Sequence, residues 1–121
     1  MTKCKLFILT AIAFLLTFAT VQATEYNVVI PVKGKTIAGE ELQRNSLFTV
    51  YSFAVRTAPA TCQQFSIVDT NVTKAKENGA WEEVWTVSAC ERNVNIPISF
   101  TDKGTYSVNP MGVKYTELLA K

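Results

Sequence analysis

The apolar residues in the middle of the chain recur at the spacing of an α-helix. Six of them fall on one helical stripe, at intervals of three and four positions: Leu47, Val50, Tyr51, Ala54, Val55 and Ala58. Glu40 and Glu41 lie where a helix N-terminus favours acidic side chains, and Pro59 lies where the helix should end. Residues 49–55 are also rich in strand formers, but the upstream acids and the stripe together favour a helix.

The segments on either side of this helix have the pattern of β-strands. Residues 26–32 are rich in β-branched side chains and predict a first strand, which Pro31 places at a sheet edge. After Cys62 the apolar period changes to two, and turn-forming residues divide the rest into four predicted strands: 65–72, 80–90, 94–100 and 105–109.

The whole pattern predicts a single α+β domain. One main helix packs on a four- to five-stranded antiparallel sheet, in a β-α-β-β-β-β meander. Tyr115, Leu118 and Leu119 have the spacing of a short C-terminal helical turn. Because no internal repeat or linker interrupts residues 24–121, we expect no second domain.

The N-terminus has the three-part layout of a secretory signal peptide. Lys3 and Lys5 precede the apolar run 6–19, and Val21 and Ala23 occupy the −3 and −1 positions of a cut after Ala23. The alternative is a membrane anchor, but a helix of about 14 residues falls short of the roughly 30 Å hydrocarbon core. The sequence therefore predicts a signal peptide at 1–23, no stable membrane anchor after cleavage, and a secreted or periplasmic domain at 24–121.

Cleavage changes the charge of the chain. The full sequence has 12 basic and 10 acidic residues, and two of the lysines lie in the signal peptide. The mature domain is therefore formally neutral, and it has no run of Lys or Arg. A neutral domain of this kind lacks the electrostatic footprint of a nucleic-acid-binding protein, so we expect no nucleic-acid partner.

Two cysteines, Cys62 and Cys90, remain after Cys4 leaves with the signal peptide. In an oxidising compartment they predict one disulfide, in preference to two free thiols or a metal site. A two-residue turn at Asn78-Gly79 would place residue 77 opposite residue 80, and Cys62 would then not face Cys90. Either residues 74–79 form a longer loop, or Cys62 precedes the strand. The polarity of 74–79 favours the longer loop.

The chemistry available to this chain is limited, because it contains no histidine. This excludes Ser-His-Asp and Cys-His nucleophilic systems and every zinc site that contains His. An enzyme would have to work with carboxylates, Lys, Tyr or Ser alone. No catalytic motif or phosphate-binding loop is visible, so we predict a non-enzymatic protein with no catalytic residues, cofactor or metal.

One motif, Trp81-Glu82-Glu83-Val84-Trp85, is the candidate binding site. In a strand, Trp81, Glu83 and Trp85 point to one face, where two indoles and a carboxylate suit a sugar ring or a protein hot spot. The alternative, which we favour, is that this face packs on the helix as core. Glu83 is then expected near the sheet edge, or paired with Arg56 or Arg92.

Two resemblances follow from these residues. Residues 62–100 resemble small exported proteins of Gram-negative bacteria whose function is unassigned, through five spaced residues: Trp81, Glu83, Trp85, Val87 and Cys90. That resemblance implies an envelope or secreted accessory protein and a substrate of a type II secretion system. The element order is similar to the cystatin fold. The cystatin inhibitory motifs (Gln-x-Val-x-Gly, an N-terminal Gly and a Pro-Trp pair) are missing, so only the order of elements carries over.

These observations favour an exported, non-enzymatic binding or accessory protein, in the role of a secreted virulence-associated factor. Its expected partner is a protein, with a glycan as the alternative. The competing hypothesis is an inhibitor of a host or competitor hydrolase, either a protease or a lysozyme, and it predicts a protruding loop at one end of the sheet. A carboxylate-based enzyme and a sugar binder are less favoured.

Overall fold

The computed structural model describes residues 23–118. Residues 1–22 of the predicted signal peptide, including Cys4, lie outside the described residues, and so does Leu119. Within the described part of the chain, no helix combines the length and the apolar character that crossing a bilayer requires.

The predicted helix is confirmed as α1, which spans Glu40–Thr57. It begins after Gly39, carries its acids in the first turn, and ends before Ala58, one residue ahead of Pro59. Four of the six residues of the predicted stripe are buried, whereas Ala58 is half-buried and Val55 is 42% exposed. Val55 lies at the edge of the stripe, on the side of the helix away from the core. The stripe residues that are buried are Leu47, Val50, Tyr51 and Ala54.

Apart from a short 3-10 helix at Pro110–Gly112, the rest of the regular structure is one sheet of six strands, which makes the fold α+β as predicted. The strands are β1 Glu25–Asn27, β2 Gln64–Glu77, β3 Ala80–Ala89, β4 Arg92–Thr101, β5 Tyr106–Val108 and β6 Lys114–Glu117. Their order is β1-β2-β3-β4-β5, and β6 also pairs with β4. The sheet is mixed rather than antiparallel, because β1 pairs with β2 in parallel. A parallel neighbour needs a crossover connection, and α1 supplies it.

The C-terminal segment corrects a second prediction. Tyr115 lies in β6, and Leu118 follows that strand, so these two residues do not form the expected helical turn. Tyr115 is opposite Val94 in the sheet, and the Arg92 guanidinium lies 4.1 Å from the centre of the Tyr115 ring. Arg92 also pairs with Glu117 at 2.9 Å. These cross-strand contacts stabilise a strand here, although the spacing of Tyr115, Leu118 and Leu119 alone would favour a helical turn.

The β2–β3 hairpin turns at Asn78-Gly79, and β2 continues to Glu77. The favoured longer loop was therefore wrong, because polar side chains on an exposed strand leave its backbone free to pair. Three register shifts between Ile67 and Glu77 each change which residue of β3 lies opposite a given residue of β2. The other alternative is correct: Cys62 precedes β2, and its Cα lies 5.7 Å from that of Cys90 in the confirmed disulfide.

The core lies between α1 and the face of the sheet that the helix covers. Alternate residues of the two central strands contribute buried side chains, as the period of two predicts. They are Trp81, Glu83, Trp85, Val87 and Ala89 from β3, and Val94, Ile96, Ile98 and Phe100 from β4.

Replacing both Cys62 and Cys90 by alanine should lower the free energy of unfolding by about 3–4 kcal/mol, because the disulfide closes a loop of 28 residues. Urea denaturation followed by tryptophan fluorescence measures this change. The reduced wild-type protein is the control and should match the double variant. Equal stability of the oxidised, reduced and substituted forms would contradict the prediction.

Candidate functional site

The three residues predicted as a binding site are brought together, but inside the protein. Trp81 is 4% exposed, and Glu83 and Trp85 are fully buried. One Glu83 oxygen, Oε1, accepts a hydrogen bond from Trp85 Nε1 at 2.8 Å. The other, Oε2, accepts from Trp81 Nε1 at 2.8 Å and from the backbone N–H of Ile37 at 3.0 Å. Both oxygens of this buried carboxylate are therefore satisfied by neutral N–H donors.

This geometry excludes a surface role for the motif in the folded domain. The indole faces pack on the Phe100 ring, whose centroid is 5.5 Å from that of Trp81 and 5.9 Å from that of Trp85. The expected position of Glu83 at the sheet edge, or beside an arginine, was wrong. Arg92 instead contacts Glu117 and donates to the Thr57 carbonyl at 2.8 Å.

Glu83 is one of three buried polar side chains that hold the connection between β1 and α1. Gln43 accepts from the Val32 N–H at 2.8 Å and donates to the Ala38 carbonyl at 2.7 Å. The Thr70 hydroxyl donates to the Lys33 carbonyl at 2.8 Å and accepts from the N–H of Thr36.

The close approach of this connection to β2 requires glycine at position 34. Gly34 has φ +108°, and a Cβ there would collide with the Thr70 backbone. Gln43, Thr70 and Glu83, which we call the loop clamp, therefore fix the segment 32–38 against the sheet and position the start of α1.

The surface feature with the clearest binding chemistry is the outer face of α1, formed by Phe48, Val55 and Arg56 of the helix together with Tyr26 of the adjacent strand β1. Phe48 is 84% exposed, and Tyr26 and Val55 are 44% and 42% exposed. The four residues line one shallow hollow of about 280 Å³, together with Tyr51 and Ser52 on the same helix. An aromatic ring in water with apolar neighbours and a guanidinium beside it is the composition of a protein-binding surface.

The Tyr51 hydroxyl connects this outer face to the sheet. It donates to the Asn27 carbonyl at 2.6 Å, and its ring lies 5.2 Å from that of Tyr26. Burial raises the pKa of Tyr51, and a hydrogen bond that its hydroxyl accepts from the Ile67 backbone partly opposes that shift. Tyr51 therefore anchors the three-residue strand β1 and holds the Tyr26 ring beside the helix.

Two open clefts offer less specific chemistry. A cleft of about 520 Å³ lies between the start of α1 and the turn after β4. Two of its four charged residues are already engaged with each other, because Lys76 pairs with Asp102, and Lys76 also lies 5.1 Å from the centre of the Trp81 ring. A second cleft, of about 750 Å³, follows the β1 edge beside Cys90 and contains the small polar side chains of Ser66 and Ser88. Among the described residues that line these clefts, no buried polar side chain lacks a hydrogen-bond partner.

The binding site predicted from the sequence did not include Phe48, although the position of Phe48 on the helix was a signal that could have identified it. Phe48 follows Leu47 and lies just outside the predicted apolar stripe, about 20° around the helix from Val55 at the exposed edge of that stripe. A large aromatic residue at a position where the helical period predicts a polar side chain indicates either a second contact or a binding surface.

Comparisons of the chain with protein-family models, with curated proteins and with solved structures each found no match. The resemblances to exported Gram-negative proteins and to the order of elements in cystatins therefore stay predictions.

Replacing Glu83 by glutamine should destabilise the domain by about 1–3 kcal/mol. Glutamine has nearly the same volume, but one of its two polar groups is an NH₂ donor. That donor would face at least one of the three N–H groups from which Glu83 now accepts hydrogen bonds. Urea denaturation of the disulfide-intact protein measures the loss. The matched control is Glu82→Gln, a neighbouring substitution on the exposed side of β3, which should change stability by less than about 0.5 kcal/mol. Equal midpoints for the two variants would contradict the role assigned to Glu83.

Proposed function

We propose that residues 24–121 form an exported, non-enzymatic binding protein that contacts a protein partner through the outer face of α1. We place it in the periplasm or the secreted fraction, as an accessory or virulence-associated factor. The single observation that carries the proposal is the Phe48 ring, which is 84% exposed and lines one hollow with Tyr26 and Val55.

Export is supported by two independent features. The segment 1–23 has the charge, apolar run and small residues of a signal peptide. The domain that follows contains the Cys62–Cys90 disulfide, and disulfides persist in oxidising compartments.

Binding at this surface is supported by energetics. Removing a Phe side chain from water stabilises a complex by about 1.5–3 kcal/mol, and Phe48 has not used that free energy in folding. Tyr26 and Val55 extend the apolar area, and Arg56 adds a donor group at the rim. Arg56 lies 5.0 Å from the centre of the Phe53 ring, which holds the guanidinium near the helix surface.

A second candidate function, inhibition of a protease or lysozyme, is favoured by the tip of the β2–β3 hairpin. Residues 73–78 are all exposed, and the turn is held by a 2.8 Å hydrogen bond from the Asp102 N–H to the Gly79 carbonyl. A restrained, exposed hairpin tip is a suitable shape for insertion into an enzyme cleft. It lacks the apolar anchor that the outer face of α1 provides, so we rank it second.

Site-specific photo-crosslinking in the producing cells tests the two candidates together. A benzophenone amino acid replaces Phe48 in one strain and Glu77 at the hairpin tip in another, with Glu82 on the open side of β3 as the control. We expect an exported product that begins at Thr24 and a discrete crosslinked protein band from position 48 alone.

Each alternative outcome has a definite meaning. A band from position 77 together with none from position 48 would favour the inhibitor, as would inhibition of a lysozyme or protease by the purified domain. No band from position 48, or a product retained in the cytoplasm with its N-terminal segment uncut, would contradict the proposal.

A further inference from the structure

The outer face of α1 has an arrangement that suits pairing with itself. Phe48 lies at the middle of the 18-residue helix Glu40–Thr57. Glu41 and Val55 are each seven positions from Phe48, so all three lie close to one line along the helix surface. All three are exposed.

The charged residues near the two ends of α1, Glu41 on this line and Arg56 on its flank, have opposite signs. Glu41 lies in the first turn of α1 and Arg56 in the last. Residues 23–118 contain two ion pairs, Lys76–Asp102 and Arg92–Glu117, and neither involves Glu41 or Arg56. When two such helices lie antiparallel and cross at Phe48, Glu41 of each copy falls within one residue step, about 1.5 Å along the axis, of Arg56 of the other.

We propose that the partner at this surface is a second copy of the chain. The two α1 helices pack antiparallel about a two-fold axis at Phe48, which stacks on Phe48 of the other copy. Two Glu41–Arg56 ion pairs, one at each end, set the direction of the helices. This inference rests on the proposed function, because it names the partner of the same surface.

Several physical features of the contact agree with this arrangement. A two-fold contact uses the same patch on both copies, so one exposed Phe per chain supplies both halves of the apolar centre. The helix is about 27 Å long at 1.5 Å per residue, which is long enough for side chains to interdigitate at the usual interaxial distance of about 8–10 Å. Antiparallel packing also places the acidic start of each helix beside the basic end of its partner.

Sedimentation equilibrium of the purified mature protein, over a wide concentration series, tests the inference. We expect a reversible monomer–dimer equilibrium. Phe48→Glu should weaken self-association by on the order of 100-fold, because two buried rings are lost together. Phe48→Leu should keep most of the affinity. Thermal unfolding of each variant verifies that the domain is folded.

A charge exchange tests the direction of the helices. Glu41→Arg and Arg56→Glu should each weaken self-association, because each brings like charges together twice. Mixing the two single variants should restore dimers, because both contacts in the mixed pair again join opposite charges. Glu82→Arg is the control, since it changes the same net charge away from α1 and should leave self-association unaltered.

The outcomes separate this inference from the proposed function. A monomer at every concentration, combined with a crosslink from position 48 to a different protein, would overturn the dimer and leave the proposed binding surface intact. A monomer with no crosslink from position 48 would overturn both. Dimers that survive Phe48→Glu, or fail to form in the charge-exchanged mixture, would overturn the antiparallel α1 contact.

Discussion

The architecture of this domain depends on the carboxylate of Glu83. It is fully buried and accepts three hydrogen bonds, from the indoles of Trp81 and Trp85 and from the backbone of Ile37. Two of these fix the largest side chains of β3, and the third reaches the connection that leads into α1. A buried carboxylate without hydrogen-bond partners would cost the domain much of its stability. The positions of β3, of the two core indoles and of the connection to α1 are therefore coupled through the hydrogen bonds of Glu83.

The same constraint determines which surface is left for binding. The loop clamp fixes the start of α1, and the buried stripe fixes its rotation, so Phe48 must face solvent. Tyr51, which belongs to the core face, reaches the β1 backbone and holds Tyr26 beside the helix. The exposed apolar surface is therefore rigid and pre-formed, and binding there needs little reorganisation.

Much of the fold was predictable because its periods are simple. The stripe on α1 and the alternation along β3 and β4 identified the helix, the turns and most core residues. The parallel pairing of β1 and the strand at Tyr115 were missed, since short segments take their structure from their neighbours rather than from local spacing. The polar composition of residues 74–77 also made the end of β2 look like a loop. The β-bulges in β2, which bring Cys62 near Cys90, depend on how β2 pairs with β3 and cannot be read from the residue types.

The candidate site was harder to predict, because burial and binding favour the same residues. Two tryptophans and a glutamate on one strand face are typical of a ligand surface and equally of a core that satisfies its own indole donors. Only three-dimensional packing distinguishes these, and it assigns Trp81, Glu83 and Trp85 to the core. Amide hydrogen exchange at Ile37 tests the central role of Glu83 most directly. This loop N–H should be protected nearly as strongly as the β3 amides, whereas exchange at the rate of an exposed loop would contradict the central role of Glu83.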